Sequence, residues 1–170
     1  MDTFLTVVSR REVRKYDRQP ISEDAERRIL EAGRLAGSAQ NRQARRFVVL
    51  RDPARVAEAA QAVFEPTNLL GATLIVAVVT AGKGPLAFDA GRAAQNMLLT
   101  AWSEGIGGSP NGIADAARIE RALNLGPEEH VAIVLSFGHP LRPSSPERRT
   151  PEEWIDRANR LPFEDVVEVL

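Results

Sequence analysis

At 170 residues, 44% hydrophobic and 26% charged, the chain has the balance of one globular domain long enough to bury a core. A net charge of −1 gives no electrostatic case for nucleic acid or an anionic membrane, and no apolar run approaches the ~20 residues of a membrane span. The absence of cysteine removes disulfides, thiolate nucleophiles and cysteine-bound metals and fits a cytoplasmic protein, while MDTFLTVVSRR is too short and too acidic at its start for a signal peptide.

Phe4, Val7, Val8 and Arg11 fall at i, i+3, i+4 and i+7, which predicts a short amphipathic helix over residues 2–11. It runs into RREVRKYD, where Arg10, Arg11 and Arg14 crowd together. Their guanidinium groups repel one another unless an anion sits between them, and each offers a planar fork of donors suited to phosphate oxygens. The alternative is a solvated basic edge, in a chain whose only lysines are Lys15 and Lys83 and where arginine is common everywhere. Glu12 lies inside the cluster and can neutralise part of it.

Ser22 is a good N-cap for a second helix that buries Ala25, Ile29, Ala32 and Leu35 or Ala36 and ends at Gly37. A polar loop, residues 38–43, leads to a strand at Phe47–Leu50, and periodicity predicts a helix over Ala54–Val63. Residues 71–80, GATLIVAVVT, form the strongest strand signal, apolar almost without interruption and so covered on both faces.

The central stretch is Phe88–Ile113. Asp89 is the expected N-cap of a helix over Ala90–Glu104 that is apolar on most sides, with Arg92, Gln95, Asn96, Thr100 and Ser103 on one polar stripe. Such a helix belongs in a core or an interface. Glycines 105, 107 and 108 permit positive φ and close backbone approach, and Ser109-Pro110-Asn111-Gly112 is expected as an exposed loop with outward amides. A helix over Ala114–Leu123, with Asp115 in its first turn, and a strand over His130–Gly138 follow. His130 and His139 have no partner at ligand or catalytic spacing, so both read as structural. A Pro/Ser/Arg segment then leads to a short helix over Pro151–Ala158 and an apolar finish, Phe163–Leu170, for which a partner subunit is the expected surface. The order α, α, β, α, β, α, α, β argues for an α+β sandwich of helices on a mixed sheet.

Several of these pieces together resemble the flavin-dependent nitroreductase family. SRREVRKY at 9–16 is similar to its N-terminal signature, and AGRLAGSAQNRQARRFVVL at 32–50 to its helix-to-strand segment. FDAGRAAQNMLLTAWSEGIGG at 88–108 resembles its central helix and glycine turn, and GHP with ERRTPEEW, within 138–154, its closing strand and basic tail. The resemblance implies a single domain with a mixed, mostly antiparallel sheet flanked by helices, in an obligate homodimer with exchanged C-terminal tails and FMN at the interface. It implies phosphate contacts from Arg10, Arg11 and Arg149 with Arg148 near, and Arg14 toward the pyrimidine edge of the flavin. Ser38, Asn41 and Gln43 would come from the other subunit, and Asn68 would be a pyrimidine contact. Pro110, Asn111 and Gly112 would lie along the ring, with the amides of Asn111 and Gly112 toward N5 and O4. No metal and no catalytic side chain is implied, because the redox chemistry is the cofactor's.

The residues depart from the family pattern at three places. Glu12 stands where many members carry Ser beside the phosphate, and would repel it unless it pairs with an arginine or points away. Ala44-Arg45 replaces a frequent Pro-Trp pair, and the link from Thr80 to Asp89 is short where many members insert a cap. The implied activity is ping-pong hydride transfer from NAD(P)H to a nitroaromatic, quinone or similar acceptor. The alternatives are a non-catalytic flavin-binding member or another flavin reaction, dehalogenation or breakdown of the flavin itself.

Overall fold

The computed structural model describes residues 2–170 of the protein. The apolar run after Gly71 forms strand β2 (Leu74–Ala81), every residue of which is buried except the last. Its alternating side chains enter two separate cores. Leu74, Val76 and Val78 pack with helices α2 (Glu23–Arg34) and α5 (Leu86–Ser103) on one side. Ile75, Ala77 and Val79 pack on the other with α3 (Pro53–Ala60), α4 (Thr67–Leu70) and α6 (Ala116–Ala122). A strand apolar on both faces requires this double cover, as the sequence predicts.

β2 pairs with β1 (Arg45–Leu50) on one edge and with β4 (Glu129–Gly138) on the other, and β4 pairs in turn with β3 (Gly107–Asn111). All three pairings of this four-stranded sheet are antiparallel, so the expectation of a mixed sheet is corrected. The one parallel pairing among the described residues is an isolated bridge, Glu12 to Gly108, where the chain after α1 (Thr3–Ser9) lies along the outer edge of β3. There the Val13 amide donates to the Gly108 carbonyl (3.2 Å), and further on Asp17 donates to His139 (2.9 Å).

Residues 109–111 therefore belong to an edge strand rather than to an exposed loop. The edge tolerates Pro110, which donates nothing to the ladder. Among these three, only Pro110 is exposed; Ser109 and Asn111 are buried. Gly107 and Gly108 are there for room. A Cβ on Gly107 would lie 2.6 Å from the Val13 Cβ, and one on Gly108 would lie 2.7 Å from Phe137. Only Gly105 of this turn takes positive φ, +75°.

Three further expectations shift. Asp89 does not cap α5, which starts at Leu86 after Pro85; its Oδ2 instead accepts from the Ala39 amide (3.1 Å) and ties the 38–43 loop to the helix. Asp115 lies before α6 as its N-cap and accepts from Arg118 N (2.9 Å). In α1 the buried residues are Thr6 and Ser9, while Phe4 and Val7 stay exposed. The tail helix is α7 (Pro151–Asp156), and a short helix α8 (Phe163–Val166) follows within an exposed apolar end. No described helix is long and apolar enough to cross a membrane.

A buried chain of hydrogen bonds joins these parts. Tyr16 Oη, donor or acceptor, lies 3.1 Å from Ser136 Oγ. Asn111 Nδ2 is placed to donate to Ser136 Oγ (3.1 Å), Val134 O (3.2 Å) and Ser109 O (3.1 Å). Its Oδ1 accepts from Asn68 Nδ2 (3.0 Å). The Asn111 side chain is thus structural and inward, not an outward loop group.

Two predictions come from this chain. Asn111→Ala leaves the Asn68 amide without its acceptor and strips a donor from Ser136, so denaturant unfolding should show a loss of about 1–3 kcal/mol. Burial, ahead of every other cause, raises the Tyr16 pKa from 10.0 to about 12. The neutral phenol is the form the fold favours, so this contribution is complete below pH 10 and declines as pH rises toward 12. Because the chain has a single tyrosine, tyrosinate absorbance reads Tyr16 alone. Its midpoint should lie well above that of the urea-unfolded chain.

Candidate functional site

The basic residues of the two chain ends meet at one surface. The C-terminal end of α1 delivers Arg10 and Arg11, and the turn Pro146–Arg148 before α7 delivers Arg148 and Arg149. Arg11, Arg142, Arg148 and Arg149 line a cavity of about 560 Å³ with Trp102 and Trp154. Glu153 is its one carboxylate, and its Oε2 accepts from the Thr150 amide (2.8 Å) in the capping box that starts α7. Four guanidinium groups against one committed carboxylate make the cavity a strong anion attractor.

The three N-terminal arginines do not converge on one point. Arg10 Nη2 pairs with Glu12 (2.9 Å), which answers the question Glu12 raises: this carboxylate is neutralised within the chain. Arg10 also lines an adjoining cavity of about 320 Å³ with Arg11, Gln95 and Arg160, and its Nη1 is buried with no partner among the described residues. Arg11 turns the other way, donating to the carbonyls of Val8 (2.7 Å) and Trp154 (3.1 Å). Burial, and then the neighbouring charges of Arg160, Arg10 and Arg157, lower its pKa. Arg14 is exposed and lines none of these cavities. The mutual repulsion is thus relieved by divergence, by one carboxylate and by backbone carbonyls.

Ser38, Asn41 and Gln43 stand apart from the basic cavity. Their loop holds Gln40 (φ 54°), Asn41 (φ 54°) and Gln43 (φ 51°) in the left-handed region, which costs free energy that the surroundings must offset. The Gln43 amide donates to Ser38 Oγ (2.9 Å), Arg42 reaches the Lys83 carbonyl (3.3 Å), and Asp89 holds Ala39. Arg45 reaches the Ala36 carbonyl, and its buried Nε and Nη1 have no partner among the described residues. Asn68 points into the interior toward Asn111, and Gly112, at the end of β3, gives its carbonyl to the Phe64 amide (3.2 Å). Phe64 is 78% exposed beside it. Neither histidine joins a site: His130 pairs with Glu120 (2.9 Å) at the surface, and His139 lends its carbonyl to Asp17. The described residues contain no cluster of three or more metal-ligating side chains of the His, Cys, Asp and Glu types.

Sequence reasoning passed over Arg142, Tyr16 and Trp154. The signal available for Trp154 was its place in T-P-E-E-W, where Thr150 and Glu153 spell a capping box that fixes the helix start beside Arg149. Tyr16 and Ser136 carry no sequence signal, since their contact spans 120 residues.

The fold agrees with comparison to known proteins. The nitroreductase family model matches residues 7–83 and 82–139. An Archaeoglobus fulgidus protein that carries the name NADH dehydrogenase/NAD(P)H nitroreductase is 31% identical over 79% of this chain and 83% of its own length. A Desulfovibrio desulfuricans protein with a nitroreductase name, crystallised in complex with FMN, superposes with a TM-score of 0.79 at 31% identity, covering 96% of this chain and 98% of that one. The NADPH:FMN oxidoreductase of Vibrio harveyi, complexed with NAD+, gives a TM-score of 0.83 at 26% identity, over 98% of this chain and 76% of that one. With the matched segments spanning β1 to β4 and the basic N-terminal strap, this chain belongs to the nitroreductase family.

Proposed function

We propose that the protein is a cytoplasmic, FMN-dependent oxidoreductase that takes reducing equivalents from NAD(P)H and passes them to a nitroaromatic, quinone or similar acceptor, working as a homodimer. The observation that carries this reading is the cavity where Arg11, Arg148 and Arg149 gather from opposite chain ends. A phosphomonoester carries about −1.5 to −2 charge and takes several charge-assisted donors, which is what this donor set supplies. Bound FMN would supply the redox chemistry, a two-electron exchange with nicotinamide and acceptor. The chain would bind and orient. Arg11 and Arg149, with Arg148, would hold the phosphate, and Arg10, with its unpartnered buried Nη1, would reach it from the adjoining cavity. Arg14 would face the pyrimidine edge. The backbone at Pro110, Asn111 and Gly112, held on a strand edge, would steady charge developing at the ring, a preorganised dipole effect.

Exposed apolar residues support a second copy. Phe4, Val7, Leu161, Phe163, Val166, Val169 and Leu170 all face outward, as does Gly91 on the outer side of α5, where a Cβ would meet nothing. In a dimer the strained loop with Ser38, Asn41 and Gln43 would complete the partner's site, which gives its positive-φ residues a use.

Titration of apoprotein with FMN, and NAD(P)H oxidation with a quinone acceptor, test the activity. Arg149→Ala and Arg10→Ala should each weaken FMN binding about tenfold to a hundredfold, the size of one lost charge-assisted contact. Unchanged dissociation constants in both variants would refute the phosphate assignment. Light scattering should give a dimer for the full chain and a smaller species once residues after Asn159 are removed. A monodisperse full-length monomer that binds FMN tightly would refute the interface.

A further inference from the structure

Trp154 occupies an unusual place in the basic cavity. The guanidinium carbons of Arg11 and Arg149 each lie 5.1 Å from its ring centroid. Its carbonyl accepts from Arg11 Nη2 (3.1 Å), and its Nε1 donates to the Pro146 carbonyl (2.9 Å), in the turn just before Arg149. The ring is therefore fixed to both segments that carry the arginines. Two like charges cannot gather on one small group without compensation, and the only carboxylate of the cavity is committed to the cap of α7. Backbone carbonyls take part of the Arg11 charge, and the electron-rich face of the indole is the compensation that Arg11 and Arg149 share.

Resting on the phosphate reading above, we infer that Trp154 is the positioning residue of this cavity, its ring holding Arg11 and Arg149 together in the arrangement that receives a phosphomonoester. The ring touches the arginines, so its role is exerted through them. With the ring removed, the two guanidinium groups repel, turn toward solvent and must be ordered anew by each ligand, which weakens binding of the phosphate and of nothing else. Burial, and then the charges of Arg160, Arg10 and Arg157, lower the Arg11 pKa.

The test compares FMN with riboflavin, which has the same ring system and lacks the phosphate, on wild type, Trp154→Ala, Trp154→Leu and Trp154→Phe. Loss of two cation–π contacts should weaken FMN about tenfold in the Ala and Leu variants while riboflavin affinity stays constant. Trp154→Phe keeps an aromatic face and should bind FMN within about threefold of wild type. A general packing defect would weaken both ligands alike and would be repaired by Leu as well as by Phe; either result overturns the role of Trp154. If the Ala variant does not fold, the Leu and Phe variants decide. An FMN-to-riboflavin ratio in Trp154→Leu equal to a high wild-type ratio would refute Trp154 alone. A wild type that binds FMN no better than riboflavin would instead refute the phosphate assignment and the role of Trp154 with it.

Discussion

Six consecutive strand residues with no polar side chain before Thr80 cannot leave either face of β2 to water, and the architecture follows from that constraint. Each face needs its own cover, so the chain places α2 and α5 on one side and α3, α4 and α6 on the other. Both neighbours of β2 are then strands whose inner residues join the same two cores, Phe47 and Val49 facing one and Val48 the other. Burying each large aliphatic side chain contributes about 1.5–3 kcal/mol, which sets apolar burial as the main stabilising force here. The edge that remains open on β3 is partly closed by residues 12–13, and that closure brings the arginine-rich strap to the sheet.

A polar seam runs through this apolar frame. Tyr16, Ser136, Asn111 and Asn68, all buried, link strap, β4, β3 and α4 by hydrogen bonds. In a low-dielectric interior such a chain favours one register, because any slip leaves buried donors or acceptors unmet. The seam thus ties the position of the strap, and of the arginines beginning it, to the centre of the fold. Trp102 Nε1 donating to the buried Ser9 Oγ (2.9 Å) makes a second tie between α5 and the end of α1.

The charged groups obey a different logic. Seven arginines, numbers 10, 11, 142, 148, 149, 157 and 160, gather where α1 meets the tail. Surface ion pairs of this chain, such as Arg46 with Glu129 (2.6 Å) and Arg28 with Glu104 (2.5 Å), are matched and exposed, and add little to stability. The basic end is unmatched, with one pair, Arg10 with Glu12, and two arginines laid against an indole. Uncompensated like charge works against folding.

Local pattern was enough for much of this protein. Hydrophobic periodicity located α2, α3, α5, α6, β1, β2 and β4 to within a few residues, and the unbroken run of β2 foretold its double cover, because burial on a given face imposes its own spacing. The order of motifs identified the family, and the structure brings Arg11, Arg148 and Arg149 to one cavity while Arg10 lines the adjoining one. Tertiary structure alone decided the rest. Ser109-Pro110-Asn111 reads as a turn because Ser, Pro and Asn favour turns, yet β4 pairs with it and the glycines before it give Val13 and Phe137 room, so it becomes a strand. Asp89 reads as a cap because a carboxylate satisfies first-turn amides, yet the Ala39 amide takes it. Asn111 binds Asn68, Val134 and Ser136, and Trp154 meets Arg11, partners far away in the chain that no window of neighbouring residues contains.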